Sequence, residues 1–193
     1  MGWLFQNDKL RHQTPEQYIT KQFTYDGKTS SAIVVAAATV GSTIYAAIRN
    51  ENKALGTSYV FCAVILFKNS DRDGFGYKDM DESMGPNEVN CPDRIMRLLS
   101  PISAMPRPGY AADWRERVSA AKAARATLRK KRSTLAVGSV ITLTTPATFG
   151  DRVTADRFTL VAFQKRTPIF TPVSHPGFRC RLRAATIATA TIE

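Results

Sequence analysis

The stretch Ser31–Phe67, SAIVVAAATVGSTIYAAIRNENKALGTSYVFCAVILF, decides the fold. Ser31–Val40 is small and apolar, with β-branched residues at its centre. From Thr43 to Arg49, Ile44, Ala46 and Ile48 alternate with Thr43, Tyr45, Ala47 and Arg49, the period-two pattern of a strand. Gly41-Ser42 between these runs fits a two-residue hairpin turn, with glycine supplying a positive φ. Asn50–Gly56 is a polar turn, and Thr57–Phe67 is apolar on both faces, as a central strand is. The expectation is a three-strand antiparallel meander.

Working outward, Thr14-Pro15-Glu16-Gln17 is a helix start. Thr14 caps, Pro15 loses nothing at the first helical position, and Gln17 completes a capping box. The helix ends near Phe23, because Asp26-Gly27 is a turn signal. Downstream, Asn69–Asn90 breaks the strand pattern with clustered Asp and Gly. Cys91-Pro92-Asp93 opens a short helix with Ile95, Leu98 and Leu99 on one side, stopping at Ser100-Pro101. Pro101, Pro106, Pro108 and Gly109 mark a linker. Ala111 to about Arg132 is Ala-rich and helix-forming. Beyond it, Ser139–Thr144, Phe158–Gln164, Pro168–Val173, Phe178–Arg183 and Thr186–Ile192 read as five short strands of a small, partly open barrel. The expected fold class is α+β. Residues 1–104 form an antiparallel sheet with short helices, 105–135 a linker and basic helix, and 136–193 a β-rich, small-barrel-like unit.

Composition agrees with a folded chain. At 193 residues, 44% hydrophobic and 22% charged, the protein buries a core without needing disulfides or metal. The run Tyr59–Phe67 is nine residues long, half of the roughly 18 needed to span a bilayer. Met1–Asp8 lacks both the basic start and the apolar stretch of a secretory signal, and Gln6 stands where a myristoylation signal needs Ser or Thr. A soluble, cytoplasmic protein is expected, with no membrane partner. Cys62, Cys91 and Cys180 are too few for a disulfide framework, and with only His12 and His175 a zinc site has little to draw on. Reduced, buried cysteines are expected.

The charge is uneven. Of the net +11, residues 1–104 contribute nothing, with 11 basic and 11 acidic side chains. Residues 105–193 carry 16 basic side chains against 5 acidic ones. Such asymmetry points to a polyanionic partner for the second half, nucleic acid first and an acidic protein surface second. The plainer alternative is a charged, solvated face.

Within the first half, Asp71–Glu82 gathers carboxylates. Counted from Asp71, Asp73, Gly76, Asp79 and Glu82 fall at positions 3, 6, 9 and 12 of a calcium loop. Phe75 at position 5 offers no oxygen, and a strand precedes the loop where a helix belongs. A solvated loop anchored by Phe75 and Tyr77, its carboxylates paired with Arg72 and Lys78, is therefore favoured. The block Gly76-Tyr77-Lys78-Asp79-Met80-Asp81-Glu82-Ser83-Met84-Gly85-Pro86, with Cys91-Pro92 and Tyr110-Ala111-Ala112-Asp113-Trp114-Arg115 after it, resembles an uncharacterised family of bacteria, their phages and plasmids. The likeness extends from about Thr43 to Phe170. It implies a mobile-element setting and supplies no catalytic residue. By analogy, small proteins in that setting serve as accessory or anti-defence factors, such as inhibitors of a CRISPR nuclease.

Two stretches of the second half are candidates for the interface. At about 100° per residue, Arg115, Lys122 and Arg129 recur every seven positions, nearly in register. Trp114, Val118, Ala121 and Leu128 form an adjacent apolar stripe bordered by Arg125 and Arg132. Arg129-Lys130-Lys131-Arg132 closes the helix, where positive charge also complements its dipole. In Phe178–Arg183, alternation sends Phe178, Cys180 and Leu182 inward and Arg179, Arg181 and Arg183 outward. Phe158, Phe163 and Phe170 are either core or base-stacking platforms.

No Gly-x-Ser-x-Gly elbow, phosphate-binding Gly loop with Lys, or His-Glu-x-x-His is present. The expected function is thus non-catalytic binding of nucleic acid or a nucleoprotein complex, without cofactor or metal. The interface would comprise Arg115, Lys122, Arg125, Arg129, Lys130, Arg132, Arg179, Arg181 and Arg183. The alternative is a metal-dependent phosphodiesterase or nuclease using the Asp71–Glu82 carboxylates.

Overall fold

A computed structural model describes residues 3–5, 14–70 and 74–193, in two compact units, residues 1–121 and 122–193. The first unit holds β1 (Leu4–Phe5), α1 (Pro15–Phe23), β2 (Tyr25–Asp26), β3 (Ser30–Val40), β4 (Thr43–Asn52), β5 (Thr57–Ser70), β6 (Gly74–Asp81), α2 (Asp93–Met96) and the opening of α3 (Pro108–Thr134). The second holds the rest of α3, then β7 (Val140–Thr148), β8 (Thr154–Gln164), β9 (Thr167–Pro172), α4 (Ala184–Thr189) and β10 (Thr191–Ile192). The class is α+β, with two antiparallel sheets.

In the first unit the strands run β1-β6-β5-β4-β3-β2, so β4 and β5 lie at the centre. Both are buried on both faces, over Thr43–Ile48 and Cys62–Ile65. On one face Tyr45, Ala47, Cys62 and Val64 pack with Cys91, Ile95, Trp114 and Val118. On the other, Ile44, Ala46, Ile48, Ala63 and Ile65 pack with Tyr18 and Ile19 of α1. Gly41 turns the β3–β4 hairpin at φ +61°, where a side chain is strained. The capping box of α1 is complete, with the Gln17 N–H donating to Thr14 Oγ1 (3.2 Å) and the Thr14 N–H to Gln17 Oε1 (2.8 Å).

In this sheet simple alternation fails in β3. Val34 pairs with Ile48 and Ala36 with Ala47, leaving Val35 as a bulge. The extra residue reverses the pleat. Ala32 and Val34 join the α1 side, whereas Ala36 and Ala38 join the opposite core.

The acidic stretch is not a loop beyond Gly74. Residues 74–81 are strand β6, in register with β5 from Ser70↔Gly74 to Ala63↔Asp81. Tyr77 packs beneath α1 against Tyr18, the ring centroids 4.0 Å apart. Strand pairing won over the Asp and Gly turn signals because β5 offers a long apolar partner. Asp71, Arg72 and Asp73 lie outside the described residues. In the next helix Ile95 is buried, but Leu98 is 40% exposed because α2 ends at Met96.

The second unit carries an open sheet, ordered β10-β7-β8-β9. Its core gathers Leu135, Ile141, Leu143, Phe158, Leu160, Phe170 and Ile187. Two expected strands are replaced. Phe178–Arg183 forms no regular strand; it meets β9 through the isolated bridge Phe170↔Cys180 and through the Thr171 hydroxyl, which donates to the Phe178 carbonyl at 3.0 Å. Thr186–Ile192 forms α4 and the two-residue β10, since a helical turn puts both Ile187 and Ala190 into the core. Lys131 secures the end of that turn, donating to the carbonyls of Ala188 and Ala190.

Candidate nucleic-acid interface

Divided by unit, the charge asymmetry sharpens. Residues 1–121 carry 14 lysines and arginines against 13 acidic residues, a net +1. Residues 122–193 carry 13 against 3, a net +10. Every one of those 13 except Lys131 is exposed.

Four cations of α3 form a row. At 100° per residue Lys122, Arg125, Arg129 and Arg132 fall within roughly 80° of arc. Leu128 and Leu135 turn elsewhere, onto the core of the second unit. The side chains of Arg129, Lys130 and Arg132 make no hydrogen bond or ion pair among the described residues, whereas Lys122 and Arg125 each have a partner.

Arg115, the expected head of the row, is occupied in the first unit. Its Nε and Nη2 grip Glu82 Oε2 and Oε1 at 2.6 and 2.8 Å, and Nη1 donates to the Ser100 carbonyl at 2.7 Å. Glu82 is fully buried, and its Oε1 also accepts the Cys62 N–H at 3.1 Å. Arg115 therefore neutralises a buried carboxylate. Glu82 in turn is withdrawn from any metal, and Asp81 is taken up by the Ser83 N–H and hydroxyl. Among the described residues no group of three or more His, Cys, Asp or Glu side chains is placed to hold a metal ion.

Arg179, Arg181 and Arg183 are exposed while Cys180 is buried and Phe178 and Leu182 half-buried, so alternation survives without a regular strand. Arg179 and Arg181 line a cleft of about 460 Å³ with Ala162, Gln164 and Ile169. The Arg181 guanidinium donates to Gln164 Oε1 and is held in place, while the Arg179 side chain has no partner among the described residues. Among the described residues no carboxylate lines this cleft. Arg183 precedes α4 as its N-cap residue.

Three further cations escaped the sequence reading. Among the described residues, the non-glycine residues at positive φ are Arg152 (61°), Lys165 (47°) and Arg166 (69°). Lys165-Arg166 is the whole β8–β9 turn, between the paired Gln164 and Thr167. Two-residue turns with both φ values positive favour Asn-Gly, and a side chain in this region costs roughly 1 kcal/mol. The available signal was a hairpin whose turn lacks glycine and asparagine.

Of the three phenylalanines, Phe158 and Phe170 are wholly buried in the core, and Phe163 is 47% exposed. Phe163 pairs with buried Pro168, on the face opposite Gln164, and does not join the arginine cleft. Glu193 accepts from Thr142 (2.9 Å) and from Arg157 (2.8 Å), and these bonds hold its carboxyl below the usual range. Arg157 is thereby matched by an acid.

A family model, a domain of unknown function (DUF6927), matches residues 106–185. The match takes in Tyr110–Arg115, α3, β7–β9 and Arg179–Arg183; the Gly76–Pro86 block lies before it. No curated protein and no solved structure matches the chain.

Proposed function

We propose that this chain is a non-catalytic binding protein that engages nucleic acid, alone or within a nucleoprotein complex, through residues 122–193. The observation that carries the proposal is the net +10 of that unit, nearly all of it on exposed side chains. Carboxylates there match few of these cations, so a row of phosphates is the partner that relieves their repulsion. Planar guanidinium groups at Arg179 and Arg181 suit bidentate contact with phosphate oxygens. The similarity of the Gly76–Pro86 block to a phage and plasmid family supports a mobile-element protein acting in the bacterial cytoplasm. An anti-defence role, such as inhibition of a CRISPR nuclease, accords with that setting.

Titration of labelled single-stranded and duplex oligonucleotides between roughly 50 and 200 mM salt tests the proposal, since each phosphate engaged adds about 0.7 to 0.9 to the log–log slope. A slope of about −3 or steeper is expected, reflecting several neutralised phosphates. Absence of association with either oligonucleotide at the lowest salt sinks it.

A further inference from the structure

A second concave site lies entirely in the first unit, on the face of the sheet that α1 packs against. Ile44, Ala46 and Ile48 are covered there, but the same face continues to Asn50, Tyr59 and Phe61, which are only half-buried. Asn50 and Tyr59 are cross-strand partners, joined by a 3.2 Å bond from Asn50 Nδ2 to the Tyr59 hydroxyl. Tyr59 and Phe61 form an aromatic floor, their centroids 6.0 Å apart and tilted by 42°. With Asp81, Ser83 and Arg107 these residues line a cleft of about 350 Å³. That volume is in the range of small-molecule sites.

The polar groups around the floor are few and of opposite sign. Ser83 fixes Asp81 Oδ1 with its N–H at 2.7 Å and with its hydroxyl, leaving Oδ2 without a donor among the described residues. Arg107, exposed at the rim, has no side-chain partner among the described residues either. An apolar ligand would leave both charges unanswered. A bare phosphate would ignore the aromatic floor and face the Asp81 carboxylate. We propose that this cleft binds a nucleoside monophosphate, the base stacked on Tyr59 and Phe61, its donor edge on Asp81 and its phosphate on Arg107. Guanine fits best, because its N1–H and N2–H stand side by side for a carboxylate. Adenine and cytosine place a ring acceptor beside their amino group, which a carboxylate repels. The site draws on residues of the first unit alone, and its failure leaves the proposal for residues 122–193 standing.

Calorimetry on the full chain with GMP, AMP, guanosine and inorganic phosphate tests it. GMP should bind about tenfold tighter than AMP and than guanosine, and inorganic phosphate should not compete at equal concentration. Asp81→Asn should abolish the preference for GMP over AMP. Arg107→Gln should reduce GMP affinity to that of guanosine while leaving guanosine binding unchanged. Arg107 is exposed and partnerless among the described residues, so this variant keeps the fold even if Asp81→Asn loses it. No saturable GMP binding at millimolar concentration overturns the proposal, as does equal affinity for GMP and AMP in the wild-type protein. Displacement of GMP by inorganic phosphate overturns it too.

Discussion

Arg115 shows how a helical wheel and a fold can disagree over one side chain. Its angle on α3 aligns it with Lys122 and Arg129, yet its guanidinium answers Glu82, 33 residues earlier in the chain. No spacing rule reaches that partner. Replacing Arg115 with Ala leaves a fully buried carboxylate uncompensated, which costs about 3–5 kcal/mol. Urea titration should show that loss, and Arg115→Lys should rescue it only partly, since an ammonium cannot reproduce the two-pronged grip. A variant as stable as wild type would mean that Glu82 is not held in this way. Beside this pair, burial and then neighbouring Cys91 push the Cys62 thiol well above its usual range. An unfolded thiol titrates near about pH 8.5. The folded thiol keeps its proton to higher pH, so its share of stability is intact below about pH 8.5 and is lost as the pH rises. The stability difference between wild type and Cys62→Ala should therefore shrink between neutral pH and pH 10. A difference independent of pH would contradict the assignment.

Among the elements, those governed by short-range chemistry were legible. The capping box of α1, the Gly41 turn and the alternation of β4 all follow from neighbours a few residues apart. The bulge at Val35 was not, because small residues on both faces of β3 leave no contrast to reveal a change of pleat. Strand β6 and helix α4 escaped for a related reason, since β5 and the second core override local preference. The β8–β9 turn carries a testable trade-off. Lys165→Asn with Arg166→Gly relieves two strained residues and should stabilise the protein by about 1–2 kcal/mol. The same change should weaken oligonucleotide binding and flatten the salt slope. Thermal melting and anisotropy on one preparation separate the effects. A stabilised variant with undiminished binding would remove the tip from the interface.

At the level of the whole chain, the feature read most securely from sequence is the distribution of charge. Whether the chain is cut near residue 104 or at Ala121, the acidic residues gather first and the excess of cations last. Which cations face solvent was less accessible. Arg115 turned inward to Glu82, and Lys131 serves the end of α4. Arg152, Lys165 and Arg166 join the exposed set at positive φ, which their residue types do not announce. The exposed cations that remain include the α3 row, Arg152, the Lys165-Arg166 turn and Arg179, Arg181 and Arg183.

The most direct measurement compares the wild-type chain with the combined variant Arg179→Gln, Arg181→Gln, Arg183→Gln, recording melting temperature and the salt dependence of oligonucleotide affinity together. All three side chains are exposed, and exposed substitutions of this kind change stability by about 0.5 kcal/mol or less each. Melting should barely move, while affinity falls and the slope flattens by up to about 0.9 for each phosphate no longer neutralised. Unchanged affinity and slope in a variant that melts like wild type would contradict a nucleic-acid interface at this edge of the second unit.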